Sequence, residues 1–224
     1  MMLRYLGHAA FEIHTSSKRI LIDPFLKENP AGIRPLEKAD IVFVTHEHYD
    51  HCAPDDIRKN ISSGAIVVAS EECAAKLADF KTKLVRPGTK GSLADVSYET
   101  IPAYNVDKFR EPGIPFHPKG HKVGFVIDTD SKRIYHAGDT DFVPEMKELA
   151  AQNIDVALLP IGGHFTMGID EAVEAAKAVN AKLTIPMHYN TMQMIQADPN
   201  EFVAKLNAAG LKGKVLNYGE ELEV

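Results

Sequence analysis

Short apolar runs rich in Val and Ile recur along the chain, each bounded by Gly, Pro, Asp or Lys. The clearest are Ile20 to Ile22, Ile41 to Val44, Ala65 to Val68, Val123 to Ile127, Val156 to Leu159 and Leu183 to Ile185. Unbroken runs of this length predict buried strands. Helical stretches lie between them. The best marked opens at Asp198-Pro199-Asn200-Glu201, with an acidic N-cap, proline at the first helical position and a glutamate in the capping-box place. It should close at Gly210, where positive φ costs nothing. A second helix over Asp170 to Val179 is Ala-rich with acids in its first turn, and a third is expected over Ser70 to Phe80. Strands in groups with helices between them give a layered domain of both element types. No linker or low-complexity tract interrupts the pattern, so one domain over residues 1–224 is the expectation. The most irregular stretch, Tyr104 to Lys122 with Pro112, Pro115 and Pro118, reads as a substrate lid.

Composition narrows the function. The chain has 224 residues, 45% of them hydrophobic, which is ample for a buried core. A net charge of −6 leaves no broad basic face, which argues against nucleic acid as a partner. Two cysteines, Cys52 and Cys73, make neither a disulfide framework nor a four-thiolate zinc site, so metal chemistry would fall to the ten histidines and the carboxylates. Cys52 reads as a small apolar packing residue. The apolar character of Met1 to His8 breaks within a few residues, and no stretch approaches the roughly 20 apolar residues of a membrane span. A cytoplasmic protein with no membrane partner is expected.

The informative stretch is Thr45-His46-Glu47-His48-Tyr49-Asp50-His51, directly after the run Ile41 to Val44. Loops leaving buried strands are where such folds place ligands, and three imidazoles plus a carboxylate exceed what one tetrahedral ion can use. Two metals are indicated. His46 and His48, two apart on extended chain, point to one side, while Asp50 and His51 follow after a turn. Asp139 beside Gly138, after the strand Arg133 to Tyr135, and His188, after Leu183 to Pro186, also close strands and are placed to converge on that loop.

His46-x-His48-x-Asp50-His51 resembles the signature of the metallo-β-lactamase-fold superfamily of metal-dependent hydrolases. Further stretches look like its later motifs in order: Gly7-His8-Ala9, Leu21 to Pro24, Tyr135 to Thr140, Leu159 to Gly162 and Pro186 to Asn190. The branch resembled is the small Zn-dependent hydrolases akin to ascorbate-6-phosphate lactonases. The resemblance implies an α+β fold, a four-layer αβ/βα sandwich with a dinuclear site at one edge. It puts His46 and His48 on the first metal, Asp50, His51 and His188 on the second, and Asp139 between them. Two divalent ions are implied, zinc first and manganese second.

One departure stands out. Asn105 occupies the place where the family usually supplies a third histidine to the first metal, so the expectation is a loosely bound first metal, Asn105 acting through water, or recruitment of His117 or His121, with His117 ranked above His121. His8 and His164 are secondary candidates for touching substrate or holding a ligand in place. The expected activity is attack by a metal-bound hydroxide on an ester, lactone or phosphodiester, with Asp50 and Asp139 as catalytic carboxylates. Lys108, Arg110 and Lys119 on the lid are candidates to meet an anionic group on a small substrate. The alternatives are a degenerate binding protein with one structural metal and, from the redox class, a di-iron site, which His48 argues against because such proteins generally carry glutamate there. The chain leaves a homo-oligomer open.

Overall fold

The computed structural model describes residues 1–27 and 33–224. The first half supplies β1 (Met2–Gly7), β2 (Ala10–His14), β3 (Arg19–Ile22), β4 (Ala39–Val44), β5 (Ile61–Ser70) and β6 (Thr82–Val85), with helix α1 (Pro54–Asn60) between β4 and β5. The second half supplies β7 (Lys90–Leu93), β8 (Val96–Pro102), a small hairpin of β9 (Phe109–Glu111) and β10 (Ile114–Pro115), then β11 (Val123–Thr129), β12 (Lys132–His136), β13 (Val156–Pro160) and β14 (Leu183–Met187). Helices α2 (Ile169–Val179) and α3 (Pro199–Ala208) flank β14, and β15 (Glu221–Glu223) ends the chain.

Two sheets result. One runs β15-β1-β2-β3-β4-β5-β6, so the last strand returns to pair with the first, and the other runs β14-β13-β12-β11-β8-β7. Period-two alternation decides what each face of the first sheet buries. Phe11, Ile13, Ile20, Ile22, Ile41 and Phe43 point into the space between the sheets. There the Phe43 ring lies 5.0 Å from Phe125 and 5.6 Å from Tyr98 of the opposite sheet. Leu21, Val42, Val44, Val67 and Ala69 point the other way, into a second core completed by Ile57 of α1 and by Cys52, Cys73 and Leu77. Helix α2 packs on β13 at the outer face of the second sheet, and α3 packs on α2. The layers are therefore helix, sheet, sheet, helix: the expected α+β sandwich. No helix among the described residues is long and apolar enough to cross a membrane.

Two expected helices differ in detail from the structure. Of the helix expected over Ser70 to Phe80, only the single 3-10 turn Glu71–Cys73 forms, followed by successive turns. Ser70 provides no cap, because its Oγ faces Cys73 Sγ at 3.6 Å. At α3, Asp198 caps as expected by accepting from the Asn200 amide at 2.9 Å, but Glu201 turns outward to Lys205 at 2.7 Å and closes no capping box. The stretch Tyr104 to Lys122 is a built wall carrying β9 and β10, anchored where Asn105 donates its amide to the His117 carbonyl.

Candidate metal centre

Each site residue sits where a strand of the sandwich ends. His8 occupies the turn from β1 to β2, His46 to His51 follow β4, Asp139 follows β12 and His188 follows β14. His117 precedes β11. Three residues here adopt left-handed backbone: His8 (φ 57°), Asp23 (φ 43°) and His188 (φ 55°). For non-glycine residues this costs about 1–3 kcal/mol each and persists only where surrounding contacts fix it. Here they do. The His188 amide donates to the His8 carbonyl at 2.8 Å and ties the turn of one sheet to the strand end of the other. Gly162 lies beside them because a Cβ there would meet the His188 carbonyl at 2.4 Å.

The side chains form two groups of four. His46, His48, His117 and Asp139 make one, His8, Asp50, His51 and His188 the other, and within each group one ligand-type atom per residue lies within 4.8 Å of the rest. Asp139 stands between the groups. Its Oδ2 is 3.3 Å from His117 Nε2, 3.9 Å from His46 Nε2 and 3.2 Å from His188 Nε2, and its Oδ1 is 3.2 Å from His51 Nε2. On the far side Asp50 Oδ2 lies 3.1 Å from His8 Nε2, 3.9 Å from His188 Nε2 and 4.0 Å from His51 Nε2.

Of the residues expected here, His46, His48, Asp50, His51, Asp139 and His188 all converge, and His8 and His117 join them. Asn105 stands one layer back. Its Oδ1 accepts from the His117 backbone amide and from His117 Nδ1, both at 2.8 Å, and its amide nitrogen donates to Asp141 and to the Phe165 carbonyl. Asn105 thus fixes the His117 ring with Nε2 facing Asp139. His121 is exposed. His164 is exposed as well and packs on Phe165, with ring centroids 4.5 Å apart.

Asp23 is a residue that the sequence reading quoted within a motif but gave no role. It is fully buried and accepts three hydrogen bonds: from the Thr45 amide at 2.8 Å, Thr45 Oγ at 2.6 Å and His51 Nδ1 at 2.7 Å. A carboxylate on the far nitrogen of a ligating imidazole fixes its tautomer and raises its basicity. The available signal was an aspartate closing an apolar strand immediately before proline. Lys122 is a second such residue. Its ammonium, 2% exposed, contacts Glu47 at 2.5 Å and Glu72 at 3.0 Å, and so holds the residue between His46 and His48.

A metal fits this donor set on its own chemistry. Among buried polar atoms without any hydrogen bond, His46 Nε2, His51 Nε2, His117 Nε2, Asp139 Oδ1 and both ring nitrogens of His188 gather at this one place. Leaving so many buried donors and acceptors unsatisfied is costly and calls for an ion. Burial would lower His51, but Asp139 and Asp23 hold it well above the ordinary imidazole range, so an ion there would take the place of a proton; three other imidazoles already lack theirs. Burial, aided by the neighbouring His188, pulls His8 down to about 4, and burial with nearby Lys122 does the same to His48. His46 also falls, through burial and His51. These are neutral imidazoles, the form that binds metal. Burial opposes ionisation of Asp139, but His188 and His51 hold it well below the ordinary carboxylate range.

A cavity of about 250 Å³ opens above the two groups, with His48, Asp50, His117 and Asp139 on its floor and Tyr49, Phe116, Phe165 and Met192 as walls. Of the lid cations, Arg110 is exposed on β9 and does not line this cavity, and the two lysines are paired with carboxylates. Lys108 pairs with Asp107, Asp141 and Glu171 at 2.6–3.1 Å, and Lys119 with Glu145 at 2.9 Å.

Comparison with known proteins agrees with this geometry. Residues 2–188 match the β-lactamase superfamily domain. A UPF0173 metal-dependent hydrolase of Pelotomaculum thermopropionicum is 40% identical over 230 residues, covering all of both chains, and one from Pyrococcus abyssi is 41% identical over 99% of each. Among solved structures, the metallo hydrolase Igni18 of Ignicoccus hospitalis superposes with a TM-score of 0.83 at 34% identity, over 99% of this chain and 97% of that one.

Proposed function

We propose, for a chain that belongs to the β-lactamase superfamily and is one of its metal-dependent hydrolases, that two divalent cations occupy the paired groups. We take zinc as first choice and manganese as second, and the scissile bond as an ester, lactone or phosphodiester of a small molecule. The observation that carries the reading is the convergence of unpartnered imidazole nitrogens on the two sides of Asp139. His46, His48 and His117 would hold one ion, and Asp50, His51 and His188 the other, with Asp139 shared. Imidazole and carboxylate donors in this proportion suit zinc and tolerate manganese. Bound there, the ions would supply Lewis acidity and lower the pKa of water toward about 7.

The chain's own residues do the rest. Asp50 on the cavity floor would orient the attacking water and carry its proton toward the leaving group. His8 Nε2 at 3.1 Å fixes that carboxylate, and His8 is itself held by Thr191 Oγ at 2.5 Å. Asp50 stays ionised in spite of burial because His51 and His8 face it. Asp23 and Asn105 set the rings of His51 and His117 from behind. The described residues lining the cavity include no serine or cysteine, so the reading needs no covalent nucleophile from the protein.

Elemental analysis combined with a screen over the three bond types tests the proposal. About two ions per chain with chelator-sensitive hydrolysis is expected, and Asp139→Ala should lose both ions and the activity. Full activity and two retained ions in that variant refute the shared role of Asp139. One tightly held ion without turnover favours the binding-protein alternative.

A further inference from the structure

The walls of the cavity restrict the part of the substrate that does not react. Once the scissile group rests on the His and Asp floor, the remainder meets Tyr49, Phe116, Phe165 and Met192. These walls are braced. Phe116 and Phe165 stand edge to face at 4.9 Å and 89°, Tyr49 stands edge to face with Phe25 at 5.8 Å and 87°, and Tyr49 Oη donates to Met192 Sδ at 3.8 Å. No lysine or arginine lines the cavity among the described residues. Lys108 and Lys119, within the stretch Tyr104 to Lys122, and Lys122 at its end are each held by one or more carboxylates. A remote negative charge on the substrate would lose water without gaining a partner. An aryl or branched alkyl group would instead exchange water for aromatic surface.

From these contacts we infer that the substrate is uncharged apart from its reacting group and carries one aryl or branched alkyl group, with Phe165 and Met192 as specificity-determining residues. The inference rests on the hydrolase reading above for the identity of the reacting group, and it replaces the anionic substrate expected from the lid lysines. The volume limits that apolar part to about one ring, since drug-sized ligands fill pockets of roughly 300–1,000 Å³.

Two assays on the metal-loaded protein test it. In the first, methyl phenylacetate is compared with methyl 4-carboxyphenylacetate, which places a charge at the end facing the walls. The neutral ester should have a kcat/KM at least about tenfold higher. In Phe165→Ala the selectivity for methyl phenylacetate over methyl acetate should fall about tenfold, mainly through KM. Met192→Ala should lower it less, and serves if Phe165→Ala does not fold. In the second assay, calorimetric binding of N-methylphenylacetamide is compared with that of its 4-carboxy analogue, with no turnover required. The neutral amide should bind at least about tenfold tighter and weaken in the same variants. If no ester is hydrolysed but the amide behaves this way, the ester form of the hydrolase reading fails and the inference stands. Equal or better use of the carboxylated compounds, no amide binding, or variants that leave selectivity unchanged would overturn it.

Discussion

Replacing Asp23 by asparagine separates orientation of a metal ligand from ligation itself. Asparagine tolerates the left-handed φ of 43° that Asp23 adopts and can still accept the Thr45 amide through its oxygen. It cannot also accept from His51 Nδ1, since its second polar group is a donor. The His51 proton then favours Nε2, the nitrogen facing Asp139 at 3.2 Å, and an incoming ion must displace it. Loss of such an outer hydrogen bond costs roughly 10- to 100-fold in metal affinity, or about 1.4–2.8 kcal/mol. Competition with a chromophoric chelator at fixed pH measures that loss directly, and nitrogen NMR of the metal-free protein reports the His51 tautomer. Asp23→Ala gives an internal comparison. It strands the buried Thr45 amide as well, so its metal-free form should be less stable than Asp23→Asn by about 1–3 kcal/mol in urea unfolding. Affinity in Asp23→Asn within twofold of the parent, with Nδ1 still protonated, would show that Asp23 does not orient His51.

Three further outcomes are expected. Gly162→Ala would drive a Cβ into the His188 carbonyl and into Ile195 at 2.8 Å. It should destabilise the fold by about 1–3 kcal/mol and weaken metal binding together, as read by denaturant midpoint and elemental analysis. Lys122→Met leaves Glu47 and Glu72 facing each other over a buried stem, and should cost about 2 kcal/mol of stability with a smaller loss of metal affinity; an unchanged urea midpoint would show the pair idle. In alkali, burial raises the phenols of Tyr5, Tyr135, Tyr189 and Tyr218, that of Tyr189 to about 12. Because the unfolded phenol ionises near 10 and the folded one later, stability should be complete below pH 10 and fall as pH rises toward 12. The share of tyrosinate absorbance that belongs to these four phenols should accordingly appear with unfolding rather than before it.

The runs Ile41 to Val44 and Leu183 to Ile185 were legible because strands buried on both faces write continuous apolar sequence. Strands β1 and β2 were not legible, because polar residues interrupt them. Arg4 and Glu12 lie across from each other in that pair and meet at 3.3 Å, with Glu12 only 1% exposed, so a largely buried ion pair breaks what would otherwise be continuous apolar runs. The residues of the loop after β4 could be read from their spacing, as could Asp139 and His188 from their strand ends. His117 could be ranked but not placed, because its position depends on Asn105 reaching it from twelve residues upstream. Asp23 and Lys122 act through tertiary contacts that no local pattern encodes. The helix expected at Ser70 had the right composition but lacked a cap, and its Cys73 and Leu77 are drawn into the outer core.

The bond from His188 to the backbone of His8 joins points 180 residues apart in a chain of 224. A cation held, as proposed, by His188 and by the loop after β4 would act as a cross-link between the two sheets. Metal capture therefore belongs at the end of folding, after both sheets have docked, and a chain cut anywhere before His188 would forfeit the ion along with the missing strand.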